Sequence, residues 1–149
     1  MNGRHDSNRP QEREPSFLKE MKDKMPGWIK NGIDKDAIDL AEDFGKYLAN
    51  MDFTNSQIRN IFGEIKRLEM KGEWSQEINT SLLLLRPKLA YSVEKQSNNK
   101  SKTAGKELRD ILKIGINTII TCDDKRKAFT NFSQITEAIL AYHKAFDGK

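Results

Sequence analysis

Four consecutive leucines, Leu82 to Leu85, run straight into Arg86-Pro87-Lys88. On a helix, four apolar residues in a row point nearly all the way round the axis, so this segment is expected at the centre of a packed bundle. Pro87 disfavours helical geometry at Arg86 and suits the first turn of a helix. The pattern therefore predicts one helix over about Trp74 to Arg86 and a new one starting at Pro87. In the second, Leu89 and Val93 share one face. Lys88, Tyr91 and Lys95, at steps of three and four, share another.

The segment before it is helical by its own chemistry. Thr54 and Gln57 have capping-box spacing: a hydroxyl for a free first-turn amide, and a side-chain amide that reaches back. Ile58, Ile61, Phe62, Ile65 and Leu68 recur at three- and four-residue steps, which is one face of an α-helix. Arg59 and Lys66, seven apart, share a different face, with Arg67 alongside. Gly72 offers a left-handed cap that ends the helix near Lys71.

The same grammar recurs along the chain. Asp34 is an N-cap for a helix over about Lys35 to Asn50, whose apolar face is Ala37, Ile38, Ala41, Phe44, Leu48 and Met51. Gln96 to Thr103 is a polar, flexible loop whose Lys100 and Lys102 either touch a phosphate backbone or are simply solvated. Thr103 caps a long helix over about Ala104 to Cys122, with Leu108, Ile111, Leu112, Gly115, Ile116, Ile119 and Ile120 as its buried face. Asp123-Asp124 ends that helix or caps the last one. The last follows Lys125-Arg126-Lys127 and carries Phe129, Phe132, Ile135, Ile139, Tyr142 and Phe146. No strand pattern occurs. The expected fold is all-α: a compact bundle of five to six mainly antiparallel helices.

Residues 1–26 are polar and hold three of the four prolines. They are expected to be a disordered or loosely held segment preceding a single helical domain over residues 27–149. Phe17, Leu18, Met21 and Met25 would form at most a poorly held helix, or one that orders on a partner. Trp28-Ile29, between Gly27 and Gly32, reads as a hydrophobic plug at one end of the bundle. Stacking of Trp28 on a base is the alternative.

Charge is distributed unevenly. Ile33 to Asp52 holds two lysines against six acids, whereas Ser75 to Lys102 holds five bases against two acids. The whole chain is +4, and 32% of it is charged. Two electrically distinct sides follow, or an ordinary solvated surface. One cysteine, Cys122, allows no intrachain disulfide and no thiol cluster for zinc. His5 and His143 lie far apart; His143 reads as a surface or boundary residue. There is no Gly-rich phosphate loop and no paired-carboxylate signature. These features predict a binding protein without catalytic residues, metal or cofactor. No membrane span or secretory signal is visible, so the chain reads as cytoplasmic with no membrane contact.

The runs Gln57-Ile58-Arg59, Ile65-Lys66-Arg67 and above all Leu84-Leu85-Arg86-Pro87-Lys88-Leu89-Ala90-Tyr91, together with Ile139-Leu140-Ala141-Tyr142-His143-Lys144, resemble the small subunit of the type III-A CRISPR (Csm) effector complex. The resemblance extends over roughly Ile33 to Phe146. It implies an all-helical, non-catalytic subunit of an antiviral ribonucleoprotein. Copies of such a subunit stack head to tail beside the backbone subunits that grip the guide RNA, and help to hold the target RNA. Its partners would be guide RNA, target RNA, the other Csm subunits including the backbone subunit, and copies of itself. The RNA role then falls on Arg59, Lys66, Arg67, Arg86 and Lys88; helical geometry adds Tyr91 and Lys95. Contacts to phosphate fix register without reading sequence, which suits a protein that must accept any guide–target pair. Tyr91 would stack on a nucleotide, contact a ribose, or pack its ring and bond its hydroxyl. The competing reading is a helical protein–protein adaptor with no nucleic-acid contact, in which Tyr91 and Arg86 anchor a protein interface.

Overall fold

The computed structural model describes residues 14–146, apart from the side chains of Asn55 and Gln57. Among them there are six helices and no strand: α1 (Ser16–Asn31), α2 (Lys35–Asn50), α3 (Asn55–Glu69), α4 (Gln76–Glu94), α5 (Asn99–Thr121) and α6 (Lys125–Ala145). The all-α bundle expected from the sequence is what forms. The centre belongs to α5 and α6. The first packs on α1, α2, α4 and α6; the second on α1, α2, α3 and α5.

Two glycines set how closely these helices approach. A Cβ on Gly45 would sit 2.6 Å from the Tyr142 Cβ and 2.7 Å from the His143 backbone nitrogen, so α2 and α6 touch backbone to backbone. A Cβ on Gly115 would fall 2.6 Å from the Phe132 ring and 3.2 Å from the Met25 Cε. That point is where α1, α5 and α6 meet.

Helix ends follow the side-chain chemistry closely. Asp34 accepts from the Ala37 amide at 2.9 Å, Ser75 from Ile78 at 3.2 Å, and Asn98 from Ser101 at 2.8 Å. Asp124 accepts from Lys127 at 3.1 Å. Each satisfies a first-turn donor that has no intrahelical partner. Lys125 donates to the Cys122 carbonyl at 2.8 Å, just past the end of α5. A cation at the start of α6, unfavourable for that helix, is thereby used at the end of another. Thr54 occupies the N-cap of α3 in extended geometry but makes no side-chain cap bond. The Gln57 half of the expected capping box lies outside the described side chains. Gly72 has φ +87°, the left-handed geometry expected where α3 ends.

Several expectations are corrected. The boundary placed at residue 26 falls inside α1. Leu18, Met21, Met25 and Ile29 are fully buried and Trp28 nearly so, at steps of three and four. That stripe makes α1 a core helix rather than a loose one. The expected disorder of the first residues concerns positions largely outside those described. The helix expected to break at Arg86-Pro87 does not. Leu82, Leu85, Leu89 and Val93 form one buried stripe across the proline, and α4 is continuous. Pro87 is on the exposed side, where water reaches the carbonyl it leaves unpaired. The leucine run is not buried all round either: Leu83 is 36% and Leu84 51% exposed. The loop expected over Gln96 to Thr103 is short, because Asn98 caps α5 and Thr103 lies within that helix, donating to the Asn99 carbonyl at 2.9 Å. His143 is fully buried, not at the surface; its Nε2 lies 2.9 Å from the Phe53 carbonyl oxygen and ties α6 to the α2–α3 connection. Cys122 is half-buried.

Candidate nucleic-acid interface

The cations singled out from the sequence are all exposed, yet they do not form one patch. Arg67 lines no groove, and the other five candidate cations fall into three grooves separated by α3 and α4. Arg59 and Lys66 line a groove of about 290 Å³ between α3 and α6, floored by Phe62, Ile65 and Leu140. Lys88, Tyr91 and Lys95 line a second, of about 580 Å³, between α3 and α4, with Glu64 beside them. Arg86 lines a third, of about 500 Å³, between α4 and α5, together with Arg109 and Lys113.

What the cations already do separates them further. Lys66 lies 3.5 Å from Glu69 and 3.7 Å from Glu137. Arg67 makes a two-pronged bond to Glu64, at 3.2 and 2.9 Å. The hydrogen bonds to Arg67 hold the Glu64 carboxyl below its ordinary range, and the same pairing raises the Arg67 pKa. On α3, then, two of the three cations have carboxylate partners on the protein itself. On α4 the situation differs. Arg86 donates through Nη1 to the Asn117 side-chain oxygen at 3.4 Å, a neutral acceptor. Among the described residues no ion pair forms at Arg86, Lys88 or Lys95. Lys95 places its Nζ 5.3 Å from the centroid of the Tyr91 ring. That ring is 63% exposed, so the expected packing of Tyr91 is corrected: it stands on the surface among cations.

Sequence reasoning missed Arg109 and Lys113. The signal was present. Lys102, Lys106, Arg109 and Lys113 are spaced four, three and four apart, one stripe of α5. Asn117 continues that stripe, and its bond to Arg86 turns the stripe towards α4.

A family model described as Csm2 Type III-A matches residues 33–149, most of the chain. The chain belongs to this Csm2 family. Csm2 is a non-catalytic structural subunit of type III-A complexes. Neither a curated protein nor a solved structure matches the chain. The Csm2 match begins just beyond α1, so the core residues of that helix lie outside it. All seven candidate residues lie within it. Among the described residues, no three His, Cys, Asp or Glu side chains gather where they would hold a metal, and no helix is long and apolar enough to cross a membrane.

Proposed function

We propose that this Csm2 chain is an RNA-binding structural subunit that helps to hold the guide–target duplex in a type III-A ribonucleoprotein by its phosphate backbone. The observation that carries this reading is the exposed side of α4, where Lys88 and Lys95 stand with an exposed Tyr91 at the α3–α4 groove and Arg86 stands at the α4–α5 groove. Cations without carboxylate partners are the ones whose charge is available to phosphate, and such contacts tolerate any sequence. Arg59 is exposed and belongs to the same reading. Lys66 and Arg67 are weaker contacts, since phosphate would have to displace Glu69, Glu137 or Glu64. The acidic, exposed side of α2, with Asp39, Glu42, Asp43 and Ile38, packs on neither α3 nor α4. It is the surface offered to neighbouring subunits and to further copies of the chain, in a head-to-tail contact that repeats without closing.

One observation favours a second reading. Leu83 and Leu84 are exposed on α4 beside these cations, and apolar side chains with Tyr and Arg are what a protein interface uses. On that reading α4 meets a protein subunit rather than RNA.

The two separate in a reconstituted complex carrying Arg86→Glu and Lys88→Glu. The expected result is normal assembly in a pull-down and target RNA held at least about tenfold more weakly, the cost of two repelled phosphates. Normal assembly with unchanged RNA affinity contradicts the RNA reading. Loss of assembly with an isolated chain that is still folded supports the protein-interface reading.

A further inference from the structure

We propose that a nucleic-acid strand lies in the groove between α4 and α5, and that Arg109 and Lys113 hold its phosphates together with Arg86. This rests on the RNA-binding reading above and moves its contact surface from α3 to α5.

The groove has the build a strand requires. Its floor is apolar, from Leu83, Pro87, Leu89 and Ala90, and its rim is Arg86 on one side with Arg109 and Lys113 on the other. Arg86 is oriented by Asn117 of the facing helix, a partner that positions the guanidinium and leaves its charge intact. Arg109 bonds Asp110 through one edge, at 3.0 Å from Nε and from Nη2. Its charge is partly met there, as that of Arg67 is by Glu64, but a guanidinium has five N–H donors and the Nη1 group is left for a phosphate; Lys113 brings the fuller charge. Lys113 is exposed, and no ion pair forms there among the described residues.

The cationic stripe of α5 runs on beyond the groove, through Lys106 to Lys102. Lys102 to Lys113 spans eleven residues of α5, about 16 Å at 1.5 Å per residue. A stacked strand advances about 3.4 Å per nucleotide, so the stripe faces roughly five phosphates. The carboxylates on this side are Asp110, already bonded to Arg109, and Glu94 near the end of α4. Neither of the other two grooves combines these features. The α3–α6 groove holds Lys66 against Glu69 and Glu137, and the α3–α4 groove has Glu64 beside Lys88.

The test is the salt dependence of target-RNA binding by the reconstituted complex. For Arg109→Gln with Lys113→Gln, the log–log slope is expected to flatten by about 0.7 for each phosphate no longer neutralised, per copy of the chain. For Lys66→Gln with Arg67→Gln, whose charges are already met by Glu69, Glu137 and Glu64, the slope is expected to flatten less than for the α5 pair. Thermal unfolding checks the fold, and Lys113→Gln alone, at an exposed position, carries the test should the double variant not fold. A wild-type slope for the α5 variants, alongside a flattened one for Arg86→Glu with Lys88→Glu, overturns this proposal and leaves the RNA reading standing. Wild-type slopes for all of them overturn both. Loss of assembly by the folded α5 variants also overturns the proposal, and assigns the groove to a protein subunit.

Discussion

Helices α1 and α4 each depart from what their sequences suggest. The segment that becomes α1 is polar and proline-containing, yet five of its side chains are in the core. The segment that becomes α4 holds the most apolar run in the chain, yet two of its four consecutive leucines are exposed and its outer side is cationic. The difference is one of placement, not amount. In α1 the apolar residues recur at helical steps and line one stripe. In α4 they are adjacent, so a helix docked by Leu82 and Leu85 must turn Leu83 and Leu84 outward. In both helices the core takes the stripe at helical steps: Leu18 to Ile29 in α1, and Ile78, Leu82, Leu85, Leu89 and Val93 in α4. An apolar cluster that overflows its stripe marks a surface with another task.

The sharpest way to break this comparison is through α1. Met21→Ala and Met25→Ala should each cost about 2–5 kcal/mol of stability, since both side chains are fully buried. Chemical denaturation reads the cost. The chain that remains folded should hold RNA in the complex as the wild type does. Next is a paired substitution on α4. Leu85→Ala should cost about 2–5 kcal/mol and Leu84→Ala under about 0.5 kcal/mol in the same assay, because only the first leaves a cavity. Equal costs would mean that Leu84 is packed and the outer face of α4 is misassigned.

A pH series separates the core from the surface proposed to face RNA. Burial lowers the His143 pKa below its ordinary 6.5, and Lys144 adds to this; the bond to the Phe53 carbonyl opposes it. The folded state therefore favours the neutral ring, while the unfolded chain takes up a proton near the ordinary value. The stability so gained is complete above about pH 6.5 and is lost as pH falls below it, towards the lower folded-state value. The melting temperature should drop between pH 7 and pH 5, and drop less in His143→Gln. A loss of RNA holding at low pH that this substitution abolishes would trace to the core rather than to α4. The smallest effect is expected at Glu64→Gln. It releases Arg67 and removes a carboxylate beside Lys88, at little cost in stability, since the Arg67 end of the pair is exposed to water. RNA affinity should rise slightly; a fall would show that the pair itself is part of the contact.

The fold was legible wherever a side chain states its own geometry. Asp34 as a cap, the span of α2, Ile58 through Leu68 as a buried face, and Gly72 as a left-handed stop are all local chemistry. What was not legible depends on partners distant in sequence. Pro87 reads as a break until Leu82 and Val93 are both claimed by the same core. His143 reads as a surface residue until Phe53, ninety positions away, supplies its carbonyl. The candidate site shows the same limit. The family resemblance points to Arg59, Lys66, Arg67, Arg86 and Lys88, and helical geometry adds Lys95 and Tyr91. Only folding shows that Glu64, Glu69 and Glu137 occupy two of them, or that Arg109 and Lys113 join Arg86 across a groove.

The most direct measurement is a crosslink. A photo-crosslinking phenylalanine analogue is placed at Tyr91 on α4 or at Ile38 on α2, in complexes assembled with labelled target RNA. Both positions are exposed, so neither change should disturb the core. The expected result is an RNA adduct from position 91 and a protein adduct, without RNA, from position 38. An RNA adduct from position 38 with none from position 91 would contradict the assignment of the RNA-facing side.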